Sequence, residues 1–153
     1  MTAASGGLCL ISKDIVLLTR LVDSARCREV TDNYPQYFTF DVENWFSCDD
    51  NYAVISEDNI GFAEYKKPGV YWVHFCFNSA RGREAINLTR GMLLKLVKER
   101  PVSVVVGLIE VNNRKARWLI RKVGLRSLGE ITTENGLCEM FYSSSEEISN
   151  GYV

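Results

Sequence analysis

Several absences narrow the reading before any motif is considered. No apolar run is long enough to cross a membrane as a helix. The start, Met1-Thr-Ala-Ala-Ser-Gly-Gly7, carries no basic residue before the short apolar run at 8–11, so the pattern of a secretory leader is missing. An excess of one charge is missing too. Lys and Arg number 18 and Asp and Glu 19, and the net charge of −1 argues against nucleic acid as a whole-surface partner. The five cysteines, Cys9, Cys27, Cys48, Cys76 and Cys138, are odd in number and never spaced as CxxC. That pattern points to buried thiols in a reducing compartment, with no disulfide framework and no metal site. A cytoplasmic location is therefore expected. Internal repeats and an interdomain linker are also lacking, and 153 residues suit one domain.

The sequence does contain enough apolar residues for a core, at 46% hydrophobic against 24% charged. A short strand at 8–11 is followed by Ser12, a plausible N-cap, and by Asp14 in the first turn of a helix. Ile15, Leu18, Leu21 and Val22 recur at helical spacing, and the helix should end near 24–28. Residues 29–50 are irregular and rich in aromatics: Tyr34, Tyr37, Phe38, Phe40, Trp45 and Phe46. They read either as an acceptor-pocket wall or as rings plugging one end of a core. Thr39 or Asp41 can cap a short helix there. Strands follow at 52–56, 60–66 and 70–77, joined by short turns as an antiparallel meander.

Next come the loop Asn78-Ser-Ala-Arg-Gly-Arg-Glu84 and a helix to about Glu99, with Ala85, Ile86, Thr89, Met92, Leu93, Leu96 and Val97 on one stripe. An almost wholly apolar strand at 102–109 predicts burial on both faces. A helix at 113–123 should bury Ala116, Leu119, Ile120 and Val123 and stop at Gly124. A hairpin, 126–133 and 137–143, turns at Glu134-Asn-Gly136. Residues 1–7 and 144–153 are expected to be flexible. The strand–helix–strand at 70–109 is a right-handed crossover, so its strands run parallel. Ligands of such units sit at the carboxyl ends of the strands. There a helix start offers N–H groups to an anion, Gly82 admits close backbone approach, and Arg81 and Arg83 can add charged hydrogen bonds. Glu84, in the same turn, reads as an acid stabilising an empty helix start.

This order of elements, with Asn113-Arg-Lys-Ala116-Arg-Trp-Leu119-Ile120-Arg-Lys-Val-Gly124-Leu125, resembles the GNAT (Gcn5-related N-acetyltransferase) superfamily. The family motif is Asn-x-x-Ala-x-x-Leu-Tyr-x-x-x-Gly-Phe. Asn113, Ala116, Leu119 and Gly124 agree with it, while Ile120 and Leu125 depart. The family's acetyl-CoA loop, Gln/Arg-x-x-Gly-x-Gly/Ala, fits 79–85 in two imperfect registers. One puts Gly82 at the central glycine and Glu84 at the small residue; the other ends on Ala85 and puts Arg83 at the glycine. The general style also looks similar to phage-encoded GNAT-like proteins.

The resemblance implies an α/β (α+β) fold: a mixed, mostly antiparallel sheet with flanking helices and a parallel fourth and fifth strand pair that splays. It implies acetyl-CoA or CoA held by Arg81, Gly82, Arg83, Glu84, Ala85, Asn113 and Ala116. Its pantetheine arm would lie on the backbone of Phe75, Cys76 and Phe77. The expected activity is acyl transfer to a small-molecule or protein amine. The motif tyrosine, often the general acid, is here Ile120. Tyr142 is taken as the candidate acid, with Tyr71, Tyr34 and Tyr37 as other phenols, and Glu110 as the candidate base beside Glu64. His74 and Cys76 read as core residues. The cations Arg114, Lys115, Arg117, Arg121, Lys122 and Arg126 read as a solvated face, a 3′-phosphate contact or a docking surface. The alternative is an inactive GNAT-like structural or interaction protein, associated with a bacteriophage virion. A virion partner would go with it, and a homodimer through the final hairpin fits either reading.

Overall fold

The computed structural model describes residues 9–24, 41–134 and 136–151. The expectations for Cys27, Tyr34, Tyr37, Phe38, Thr39 and Phe40 lie outside those residues.

A seven-stranded sheet carries the described fold, in the order β1-β2-β3-β4-β5-β7-β6. The strands are β1 Leu10–Ser12, β2 Tyr52–Ser56, β3 Asn59–Lys67, β4 Val70–Cys76, β5 Val104–Glu110, β6 Arg126–Thr133 and β7 Gly136–Ser144. The helices are α1 Ile15–Val22, α2 Val42–Trp45, α3 Gly82–Glu99, α4 Arg114–Val123 and α5 Ser145–Ser149. β2, β3 and β4 form the expected meander. β4 and β5 run parallel, because 18 residues of α3 separate them and carry the chain back.

The period of two along β4 sorts its side chains between two layers. Tyr71 and Val73 join Ala85, Leu88, Met92, Leu93 and Leu96 of α3 in the larger core. On the opposite face Ala53, Ile55, Ile60 and Phe62 meet Leu18 of α1 and Val42 of α2. β2 is buried along its whole length because helices cover both of its faces. Each helix start has its own cause. Asp14 caps α1 by accepting from the Leu17 N–H at 3.0 Å, and Asp41 caps α2. The cap of α1 is thus Asp14 and not Ser12, whose hydroxyl instead accepts from the Asp14 N–H. Asn113 caps α4 through the Ala116 N–H at 3.1 Å. Gly124, at φ 124°, ends it, and the Leu125 N–H reaches back to the Ile120 carbonyl.

Three local expectations are corrected. β5 begins at Val104 and not at 102. The Ser103 and Val104 N–H groups both turn to the Gly69 carbonyl, and Val102 is a buried plug of the core. β5 is also not buried on both faces: Val105 is sealed, while Val104, Val106 and Leu108 are half-buried. The tail expected to be mobile from residue 144 instead makes α5. Ser144 and Glu147 form a reciprocal capping box, and Ile148 drops into the core.

Candidate active site

The sheet opens where β4 and β5 part. Their ladder covers Val70, Tyr71 and Trp72 against Val104, Val105 and Val106, and no pair forms beyond that row. Both strands continue, β4 to Cys76 and β5 to Glu110. Their outer sides stay held, β4 by β3 as far as Ile60–Cys76 and β5 by β7 as far as Glu110–Cys138. The result is a wedge roughly 13 Å long, at about 3.3 Å per residue. Such a cleft presents strand backbone that an extended chain can pair with.

The start of α3 stands at this end of the strands. Its N-cap, Arg81, makes no side-chain cap, and Arg81, Gly82, Arg83 and Glu84 are all exposed. The Glu84 and Ala85 N–H groups turn back to the Arg81 carbonyl. The N–H groups of Arg81, Gly82 and Arg83 find no acceptor among the described residues. These are the orphan donors of a helix start, with the positive end of the helix dipole behind them. Gly82 holds φ at 54°, and a Cβ there would meet nothing within 4 Å. Glycine is required by the backbone turn, then, and not by crowding. Ala85 points into the core, so its side chain packs and does not line the site.

The remaining expected residues are placed as follows. Phe75 and Phe77 stack with centroids 6.2 Å apart on the α3 side, and Cys76 is buried on the other face. Asn113 and Ala116 are paired with each other through the cap. Ile120 is buried against Gly107, the first β5 residue beyond the last β4–β5 pair. The motif position therefore faces the point where the strands part, and its side chain carries no proton. Tyr71 is sealed in the core between Tyr52 and Tyr65, and burial pushes its phenol up, away from a ready acid. Tyr142 is half-buried in one cross-strand row with Trp72, Val106 and Arg126, whose guanidinium lies 4.8 Å above its ring. Glu110 shares the Val106 face of β5 but stands four residues on, roughly 13 Å toward the mouth. The two candidates thus flank opposite ends of the wedge.

The sequence names Glu64 and His74 separately, and the structure brings them together. Glu64 Oε1 lies 3.7 Å from His74 Nε2 and 3.2 Å from Lys66 Nζ. Contact with His74, opposed by burial and aided by Lys66, holds the Glu64 carboxyl below its usual range. Only the β3–β4 register, Phe62 opposite His74 and Glu64 opposite Trp72, makes them neighbours. A hairpin register drawn through Lys67-Pro68-Gly69 is the one sequence signal that could have found the pair.

The basic helix resolves differently from its sequence. Arg117 and Arg121 turn inward onto Glu139 of β7, and Arg126 pairs with Glu147. Arg114, Lys115 and Lys122 remain without an ion-pair partner among the described residues. Arg117 and Arg121 are therefore structural cations, held against Glu139 of β7.

No family model matches this sequence, and no characterised protein matches it in sequence. Solved structures do match in shape. An aminoglycoside acetyltransferase AAC(6′)-Ib in complex with coenzyme A superposes with a TM-score of 0.67 at 12% identity, covering 95% of this chain and 100% of that one. A GNAT-family acetyltransferase from Bacillus anthracis gives 0.64 at 18%, covering 91% and 96%. A spermidine N-acetyltransferase SpeG variant from Vibrio cholerae gives 0.65 at 11%, covering 95% and 99%. The chain has the GNAT fold. The parallel β4–β5 pair, the splay and the position of α3 stand as that fold requires.

Proposed function

We propose that this chain is an acetyl-CoA-dependent N-acyltransferase that passes an acyl group directly to an amine. The observation carrying the proposal is the wedge between β4 and β5, which opens beside a helix start with free N–H groups and two exposed arginines. These features suit the ligand: extended backbone for a pantetheine arm, and donors plus Arg81 and Arg83 for a pyrophosphate. Among the similar structures, the aminoglycoside acetyltransferase is a complex with coenzyme A.

Bound acetyl-CoA supplies a thioester, whose carbonyl carbon bonds to the amine nitrogen while the C–S bond breaks and the thiol departs. The backbone of Phe75, Cys76 and Phe77 holds the arm, and the Phe75–Phe77 stack keeps water off one side of it. The amine nitrogen and the departing sulfur sit on one carbonyl carbon. Glu110 at the mouth and Tyr142 at the closed end, roughly 13 Å apart, are therefore alternative proton-transfer groups for two placements of that carbonyl and not partners in one transfer. Glu64 with His74 is the competing base, on the same face as Tyr142. Ile120 cannot donate, but a thiol with a pKa of about 8.5 leaves in part unaided. Small amines and protein N-termini are both acceptors for this reading; similar structures include a spermidine acetyltransferase and a ribosomal-protein N-acetyltransferase.

Two observations favour a second reading. Ile120 belongs to the core at the position where the family places its acid, and Glu84 sets a carboxylate in the first turn of α3. Both suit a scaffold that has lost turnover and serves as an interaction protein, in a virion for example. β6, the outer edge of the sheet, would then offer backbone to a second copy or another chain.

Calorimetric titration with acetyl-CoA decides between them. Micromolar binding that weakens at least about tenfold in an Arg81→Ala/Arg83→Ala double variant supports the enzyme reading. No heat at millimolar ligand overturns it.

A further inference from the structure

The turn between β2 and β3 reaches across to the loop that leads into α3, and one buried side chain joins them. Asn59, the first residue of β3, is 1% exposed. Its Oδ1 accepts from three successive backbone N–H groups: Asn78 at 2.8 Å, Ser79 at 3.1 Å and Ala80 at 3.4 Å. Its Nδ2 donates to the Ser56 carbonyl at 3.3 Å and to Ser79 Oγ at 3.4 Å. Asp58 adds a second row. Its carbonyl accepts from Asn78 Nδ2 at 2.5 Å, and its carboxylate accepts from Ser79 Oγ at 2.6 Å. Glu57, two residues before Asn59, sits at φ 57°, in the left-handed region that a non-glycine residue enters at a cost. The surrounding contacts hold that strained turn in place.

Successive N–H groups converging on one point form a concavity that binds anions elsewhere in proteins. Here an uncharged amide oxygen of the chain itself fills it. The fourth and later groups, from Arg81, Gly82 and Arg83, are not gathered. The donors before α3 thus divide into an inner set satisfied by Asn59 and an outer set turned to no acceptor among the described residues.

We infer that Asn59 is the positioning residue of the phosphate loop. It captures the Asn78, Ser79 and Ala80 N–H groups, fixes where α3 starts, and confines anion contact to the N–H groups of Arg81, Gly82 and Arg83. The capture stands on the hydrogen bonds alone; its consequence for a pyrophosphate rests on the acyl-CoA reading. An asparagine suits the role for a physical reason. It offers an acceptor with two lone pairs and a donor in one rigid plane.

Hydrogen exchange and coenzyme A titration test both halves. In the wild-type chain the Asn78, Ser79 and Ala80 amides exchange slowly, and those of Gly82 and Arg83 exchange fast. Asn59→Leu removes the acceptor and speeds exchange at Asn78, Ser79 and Ala80 by about 10- to 100-fold, while Leu88 to Leu96 in α3 stay protected. Asn59→Asp keeps an acceptor for the three N–H groups and keeps their protection, while its second oxygen replaces the donor to the Ser56 carbonyl and lowers overall stability. It puts a negative charge next to the anion site, so coenzyme A binds about tenfold more weakly at low salt, and the loss shrinks as salt rises. If Asn59→Leu fails to fold, the wild-type contrast and the Asp variant still decide. Fast exchange at Asn78–Ala80 in the wild type, or unchanged exchange in a folded Leu variant, overturns the capture. Equal coenzyme A affinity in the Asp variant overturns the confinement. A wild type that does not bind coenzyme A at all refutes the acyl-CoA reading and the confinement with it, while the exchange data judge the capture separately.

Discussion

Replacing Glu139 with Gln removes one charge from the most enclosed ion cluster among the described residues. The Glu139 side chain is 6% exposed and accepts from Arg117 Nε at 2.8 Å, Arg121 Nη2 at 2.6 Å and Ser127 Oγ at 2.6 Å. These contacts fasten α4 to β7, and α4 in turn holds Ile120 over Gly107. Breaking a buried pair costs about 3–5 kcal/mol when the surviving charge stays dry. Here the guanidinium partners are 22% and 48% exposed, so water can recover part of their solvation. The expected loss is therefore about 2–3 kcal/mol, or roughly 5–10 °C in melting temperature for a domain of this size. The effect has a pH signature. Burial alone would raise the Glu139 carboxyl, but the hydrogen bonds from Ser127 and Arg117 and the charges of Arg121 and Arg117 outweigh it and hold it low. A lowered folded-state pKa gives stability that is fully present above the unfolded value of about 4.3 and is lost as pH falls through the folded value. The gap between wild type and Glu139→Gln should thus be widest near pH 7, begin to narrow at about pH 4 and close only once pH falls below the lowered folded value. Urea unfolding at pH 7 and through the acid range measures it. A variant within about 0.5 kcal/mol of wild type at pH 7 refutes the reasoning, as does a gap that persists in acid.

Other substitutions probe separate parts of the fold. Gly82→Ala adds a Cβ at φ 54° in open space, so it should cost about 1 kcal/mol by strain alone and shift the start of α3; thermal melts and helical circular dichroism read this. Glu57→Gly should be neutral or stabilise by up to about 1 kcal/mol, because glycine relieves the left-handed turn; a clear destabilisation in denaturant melts would show that the Glu57 side chain matters more than its backbone. Leu18→Ala opens a cavity in the smaller core, where Leu18 is fully buried, and should lower stability by about 3 kcal/mol in the same melts.

How much of this was legible beforehand follows from the range of each interaction. The apolar runs at 52–56 and 60–66, bounded by short turns, and the helical stripe from Ala85 to Val97 are local patterns, and those elements stand within a few residues of where the patterns put them. Asn113 at the head of α4 and Gly124 at its end act within a few residues, so they too were readable. The parallel β4–β5 pair followed from the length of the crossover between them. Other features depend on partners distant in the chain. Val102 left the strand because Gly69 took the next two N–H groups. The tail folded because Ile148 found the core under α3. Arg117 and Arg121 look like surface cations in a row of six. Pairing of β5 with β7 set Glu139 beneath them and turned them inward. Asn59 looks like the end of a turn, and nothing within ten residues shows that three N–H groups some twenty positions on will converge on it. Local propensity and hydrophobic period act over one turn or one strand, so the sequence alone determined the elements and their order. Electrostatic and hydrogen-bonding partners are chosen by proximity in space, so only the tertiary structure decided which charges are satisfied, where the sheet opens and which donors are left at its mouth.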